Sequence, residues 1–328
     1  MSGGPEWEPI EPPAPKPAGP QPLRLGQVLA IALRILRRHW PVLLLLALLF
    51  AGPGALLTAA TGMQFTETLI DILPSIEDGQ VAADDVITQA ELDRAIEALV
   101  PYLAATVVAG ILTSIGALAF SAVVADDYHA RTATLSVALR RCLGRTPSAL
   151  GFILLTTLII VGVLLLGAIG MAVAFIILPT SSVTAGGPGV FLALIAGVAA
   201  AVAVIYLTMR WAPAFPAMVE EDIGVRDALR RSWHLSADNV WRILVIALLG
   251  ALATALVASL LSQVLALLLV GGLAPALGLD DSVAESIALA LGAILVAPLV
   301  PVLMAVLYFD LRARRDPPVP PAGDVTGP

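Results

Sequence analysis

The sequence predicts an all-α, polytopic integral membrane protein of about six transmembrane helices. They are expected as three repeated hairpins, each preceded by a cytoplasmic interfacial amphipathic helix. Three observations carry this. Of 328 residues, 59% are hydrophobic and 13% charged, against about 25% charged in a soluble domain of this length, so much of the apolar surface must face lipid. Six apolar runs are long enough to span a bilayer. All arginines but Arg94 occupy alternate loops.

Residues 1–22 hold a Pro-rich stretch (PEWEPIEPPAPKPAGPQP) with too little apolar surface to offset ordering entropy, which predicts a disordered cytoplasmic tail. Residues 23–315 form the expected membrane domain, and the Pro-rich residues 316–328 a second disordered cytoplasmic tail. The apolar runs fall at residues 41–60, 99–124, 149–178, 190–207, 243–269 and 286–309; about 20 residues suffice at 1.5 Å rise per residue. Arg34, Arg37 and Arg38 precede the first run. A long leading segment and no small-residue cleavage site favour an uncleaved anchor over a signal peptide.

Orientation follows from charge. Arg24, Arg34, Arg37, Arg38, Arg131, Arg140, Arg141, Arg145, Arg210, Arg226, Arg230, Arg231, Arg242, Arg312, Arg314 and Arg315 fall on one side, and Arg94 alone on the other. By the positive-inside rule both termini are cytoplasmic.

A threefold repeat is visible before the first, third and fifth runs. Apolar or small residues recur at i, i+3, i+4, i+7 and i+8: Leu25, Val28, Leu29, Ala32, Leu33; Leu135, Ala138, Leu139, Cys142, Leu143; Val225, Ala228, Leu229, Ser232, Trp233. The second and third copies share Ala-Leu-Arg-Arg. Such spacing paints one apolar stripe on a helix with arginines opposite. It predicts helices lying at the interface, stripe in the acyl boundary and cations on anionic headgroups. Candidate lipid-contacting residues are Arg34, Arg37, Arg38, Arg140, Arg141, Arg145, Arg230, Arg231 and Arg242. Pro41 and Pro147, with Thr146 as a cap, and Ser236 with Asp238, read as starts of the spans that follow.

An acidic external loop is expected at residues 61–98, with short helices such as 90–98. Its carboxylates lack the alternating ligands of a calcium loop. Small-residue rows at Ala193, Gly197 and Ala201 and at Gly250, Thr254 and Ala258 predict close helix contacts. Pro298 and Pro301 predict a kink in the sixth span. No charge lies in the middle of any run, which argues against a proton-coupled pathway. Gln263, Ser259 and Ser262 read as interhelical hydrogen-bonding groups. Asp126, Asp127, Tyr128 and His129 read as solvated loop chemistry, since no set of three or four zinc ligands converges there. With a single cysteine, Cys142, no internal disulfide is available. No phosphate-binding loop, nucleophile elbow or HExxH is present, so no catalytic, metal or cofactor site is expected.

Residues 209–244 (MRWAPAFPAMVEEDIGVRDALRRSWHLSADNVWRIL) resemble the bacterial six-helix family known as the membrane domain of glycerophosphoryl diester phosphodiesterase. The resemblance rests on Arg210, Pro213, Pro216, Glu220, Glu221, residues 228–233, Leu235, Trp241 and Arg242. The opening LRLGQVLAIALRILRRHWPVLL is similar to that family's first helix and span, so the resemblance covers residues 23–315. It implies topology and a place in the bacterial inner (plasma) membrane, and it supplies no catalytic residues. The expected role is a non-enzymatic membrane domain in assembly, regulation or lipid-surface organisation. Its expected partners are membrane lipids with anionic headgroups and no nucleic acid, with oligomerisation and protein partners open. A lipid or small-solute permease is the alternative, since repeats often frame a pathway.

Overall fold

Helix α1 (Leu25–Arg38) starts where the Arg24 N–H donates to Gln27 Oε1 at 2.6 Å, satisfying a donor that the first turn leaves unpaired. It belongs to a computed structural model that describes residues 23–72, 89–177 and 188–316, where every regular element is helical. The tails at 1–22 and 317–328, and residues 73–88 of the acidic loop, lie outside the described residues.

After α1 come α2 (Trp40–Phe50) and α3 (Gly52–Ile72), then α4 (Gln89–Tyr128), α5 (Leu135–Ile177) and α6 (Pro188–Trp211). The short α7 (Ala214–Glu220) and α8 (Val225–Ser236) lead to α9 (Val240–Leu268). A π turn (Leu269–Leu273) and α10 (Ala274–Leu277) connect it to α11 (Asp281–Val296) and α12 (Leu299–Arg315). Five stretches are long and apolar enough to cross a membrane, and the α2–α3 pair, bent by 50°, makes a sixth if it is one span. Pro41 sits in the first turn of α2, where no backbone donor is missed.

Several expectations are corrected. Pro147 does not open a helix; α5 runs straight through it, and Thr146 bonds back to the Cys142 carbonyl rather than capping. Nor does Ser236 cap α9, because its hydroxyl is buried and bonds the Ser232 carbonyl. Residues 61–72, placed in a loop, continue α3 as helix, whereas the short helix expected at 90–98 is present as the first turns of α4. Ser259 bonds within its own helix and Gln263 is exposed. The expected break in the sixth span does occur, at Pro298 between α11 and α12.

Successive long helices pair as neighbours: α3 with α4, α5 with α6, α9 with α11. Glycines set the closest approaches. A Cβ at Gly54 would lie 2.7 Å from Ala109 Cα, and one at Gly250 would lie 2.7 Å from Leu303 Cδ2. On α6 the contact row is displaced from the expected one. Ala196 and Ala200 meet Gly170 and Gly167, while nothing lies within 4 Å of a Cβ at Gly197.

The packed core gathers at the arginine-rich end. There Val28, Ala32 and Ile35 of α1, Ala138 and Cys142 of α5, and Ala228 and Leu235 of α8 lie against buried residues of α4, α7 and α12. Toward the other end the helices expose large apolar side chains, such as Leu154 (73%) and Leu267 (76%). The amphipathic stripes are thus corrected in part, because their central positions (Val28 and Ala32, Ala138 and Cys142, Ala228 and Ser232) are buried in protein while their last positions, Leu33, Leu143 and Trp233, stay exposed. The 3.6 period reports that one helix face is apolar and is blind to what covers it.

The α4 C-terminus closes with Arg131 N–H donating to the Asp126 carbonyl and Ala130 N–H to that of Asp127, with Ala130 at φ 53°. This is the Schellman pattern with alanine where glycine is favoured. Ala130→Gly should therefore raise the melting midpoint of the detergent-purified protein, by a net ~0.5–1 kcal/mol once the extra unfolded-state freedom of glycine is subtracted. A lowered midpoint would refute the strain.

Candidate functional site: the charged end of the bundle

Three helices, α4, α7 and α12, deliver carboxylates to the arginine-rich end, and each meets guanidinium or imidazole. Asp310, one turn before the end of α12, has a side chain with no exposure. Arg242 Nε reaches its Oδ2 at 2.9 Å and Arg314 Nε its carboxylate at 3.2 Å. The Leu23 N–H donates to Oδ1 at 2.6 Å. Arg242 and Arg314 also donate to the Leu23 carbonyl, at 2.7 and 2.6 Å. One buried acid thereby ties the start of α1, the start of α9 and the end of α12 together.

Asp126, near the end of α4, is the contrasting case. Arg141 Nη1 lies 2.7 Å from Oδ1, yet neither oxygen has a hydrogen bond of acceptable geometry and both are inaccessible. The pair is held by charge and proximity alone. Its neighbour Asp127 takes Arg38 Nη1 at 3.1 Å and His39 Nε2 at 2.8 Å. The solvated-loop expectation for Asp126 is corrected, since α4 carries it into the core.

From α7 and the turn after it, Glu220 bridges His129 (2.8 Å) and Arg312 (3.1 Å). Glu221 Oε1 accepts from Arg231 Nε at 2.8 Å and from the Tyr308 hydroxyl at 2.7 Å. Arg231 also pairs with Asp316. Burial pulls the Arg231 guanidinium down, but the hydrogen bonds to Asp316 and Glu221 outweigh it and hold the group above its ordinary value. Arg210 lies 4.5 Å from the Trp233 ring and donates to the Trp233 carbonyl at 3.1 Å, while Ser232 donates to the Arg210 carbonyl at 2.6 Å.

The nine arginines singled out in the sequence thus divide. Arg38, Arg141, Arg145, Arg231 and Arg242 pair with carboxylates of this chain (Arg145 with Asp222). Arg34, Arg37, Arg140 and Arg230 are exposed and form no ion pair among the described residues. Sequence reasoning missed Asp310 and Tyr308, and named Asp126 and Glu221 without their partners. For Asp310 the available signal was an acid at the end of an otherwise apolar run, two residues before an arginine cluster. Among the described residues no group of three or more His, Cys, Asp and Glu side chains is arranged to hold a metal ion.

Long apolar helices with their polar groups gathered at one end define a multi-pass helical membrane domain. Residues 189–311, from α6 to α12, match the family described as the membrane domain of glycerophosphoryl diester phosphodiesterase. The match names a membrane domain and no catalytic one, and residues 23–188, which the resemblance also took in, lie outside it. No curated protein and no solved structure matches the chain.

Proposed function

We propose that the chain is a non-catalytic membrane domain of the bacterial inner membrane, with the arginine-rich end and both termini cytoplasmic, that organises anionic lipid at that surface. The observation that carries this is the division of arginines: one set neutralised inside the fold, another left outward at the same end. Unpaired guanidiniums beside an apolar belt are suited to anionic headgroups.

The domain is built from three copies of one unit, a basic helix followed by a hairpin. Support comes from exposure. Residues 23–34, 133–144 and 223–234 follow the same order of buried, half-buried and exposed positions through all twelve places. Arg140 and Arg230 occupy the same place in the second and third copies.

The test is lipid selectivity of the full chain reconstituted in phosphatidylcholine, read by spin-labelled phosphatidylglycerol against spin-labelled phosphatidylcholine. Preference for the anionic label is expected, shrinking with added salt and on Arg140→Gln/Arg230→Gln. Equal association of the two labels at low salt would overturn the proposal.

A further inference from the structure

A groove of about 640 Å³ runs between the α1–α2 corner and the α9, α11 and α12 helices. Leu33, Leu36 and Trp40 form one wall, Val257 and Leu261 another, and Pro298 its end. The helix break at Pro298, where the ring supplies no N–H to continue the ladder, separates α11 from α12 beside this recess. Its rim faces outward: Leu33 is 54% and Val257 45% exposed. A second recess of about 610 Å³ adjoins it, lined by Ala30, Leu33, Arg34, Arg37 and Arg38. Leu33 and Arg37 belong to both, so one molecule can lie across the two.

The charges in the second recess differ in what is free. Arg38 is engaged by Asp127, whereas Arg34 and Arg37, neighbours at i and i+3 on one helix face, form no ion pair among the described residues. An apolar solute would leave those guanidiniums unused, and a soluble phosphate would leave the groove empty. A third recess, lined by Arg140, Arg141, Arg145 and Asp222, has its own carboxylate and no large apolar wall beyond Val219. The α1 site joins free cations to a long apolar trough, with an amphipathic indole, Trp40, at the join.

We infer that this composite site holds one anionic diacyl phospholipid, its phosphate on Arg34 and Arg37 and one acyl chain in the groove between α2 and α9. The inference rests on the proposed anionic-lipid function but makes a narrower claim, a discrete bound lipid rather than a general preference.

Native mass spectrometry of the full chain, released from mild detergent with added phosphatidylglycerol, phosphatidylcholine or glycerol 3-phosphate, tests it. One phosphatidylglycerol should persist after others are stripped, with phosphatidylcholine and glycerol 3-phosphate held far more weakly. Each guanidinium near an anionic headgroup contributes about a factor of five, so Arg34→Gln/Arg37→Gln should lose roughly 30-fold in affinity. Arg34→Lys/Arg37→Lys should recover most of it, and Val257→Trp, which fills the groove from its lipid-facing rim, should also expel the lipid. Arg140→Gln/Arg230→Gln should leave this lipid in place while lowering the spin-label selectivity. Retention unchanged in both the Arg34/Arg37 and the Val257 variants overturns the site, as does glycerol 3-phosphate binding as tightly as the lipid. Loss in the Arg34/Arg37 variant without loss in Val257→Trp overturns the groove assignment. Any of these results together with intact anionic selectivity leaves the broader function standing, whereas absent selectivity fails that function itself.

Discussion

Asp310→Ala is expected to cost about 3–5 kcal/mol, enough to abolish the cooperative melt of the detergent-purified protein, because it removes one partner from a buried charge cluster. The carboxylate has no exposure and gathers Arg242, Arg314 and the Leu23 N–H. Without it the buried parts of two guanidiniums lose their counter-charge, and Leu23, just before α1, loses its tether to α9 and α12. Asp126→Asn should behave differently although Asp126 is almost as buried. Its oxygens have no well-formed hydrogen bond to lose, and Arg141, with a third of its side chain exposed, can turn to solvent. The cost there is expected to stay within about 1 kcal/mol. Melting midpoints of the two variants decide the matter. If Asp126→Asn were the more damaging, hydrogen-bond completeness would not be what makes these acids matter.

That contrast also marks how far the sequence could be read. Hydropathy located the five long apolar helices and the bent α2–α3 pair, since burying a span in lipid leaves a composition signal that needs no partner. The helical spacing of apolar and small residues located α1, the start of α5, and α8. What those helices touch was not legible: Val28, Ala138 and Ala228 look the same in sequence whether lipid or protein covers them. Proline was ambiguous for a related reason. Pro41 opens a helix and Pro147 lies inside one, because a missing donor is tolerated wherever neighbouring groups take up the freed carbonyl. The acids were the larger omission. Asp126 and Asp310 stand at the ends of apolar runs and read as flanking polar residues. Only the antiparallel packing of α9 on α12 and the return of α1 to the same end bring Arg242 and Leu23 to Asp310. Those partners are 68 and 287 residues away, a separation that no local pattern encodes.

Gly54→Val should be the next most damaging change, and it separates packing from helix propensity. In an open helix, replacing glycine by a residue with a side chain is expected to stabilise, by about 0.5–1 kcal/mol for alanine. Gly110, one residue from the contact on α4, has nothing within 4 Å of a Cβ position, so Gly110→Ala should gain that amount. At Gly54 the same atom would sit 2.7 Å from Ala109 Cα and 2.8 Å from Ala109 Cβ. Backbone cannot rotate away, so α3 and α4 must separate; the γ-methyls of valine enlarge the separation, and the expected loss is about 1–3 kcal/mol. The effect should spread, because α3 also carries α11, and α11 ends beside the lipid groove. Gly54→Val should then lower both the melting midpoint and phosphatidylglycerol retention, with Gly54→Ala intermediate and Gly110→Ala raising the midpoint. A rise in the midpoint for Gly54→Ala, equal to that for Gly110→Ala, would mean that α3 and α4 do not meet at this register.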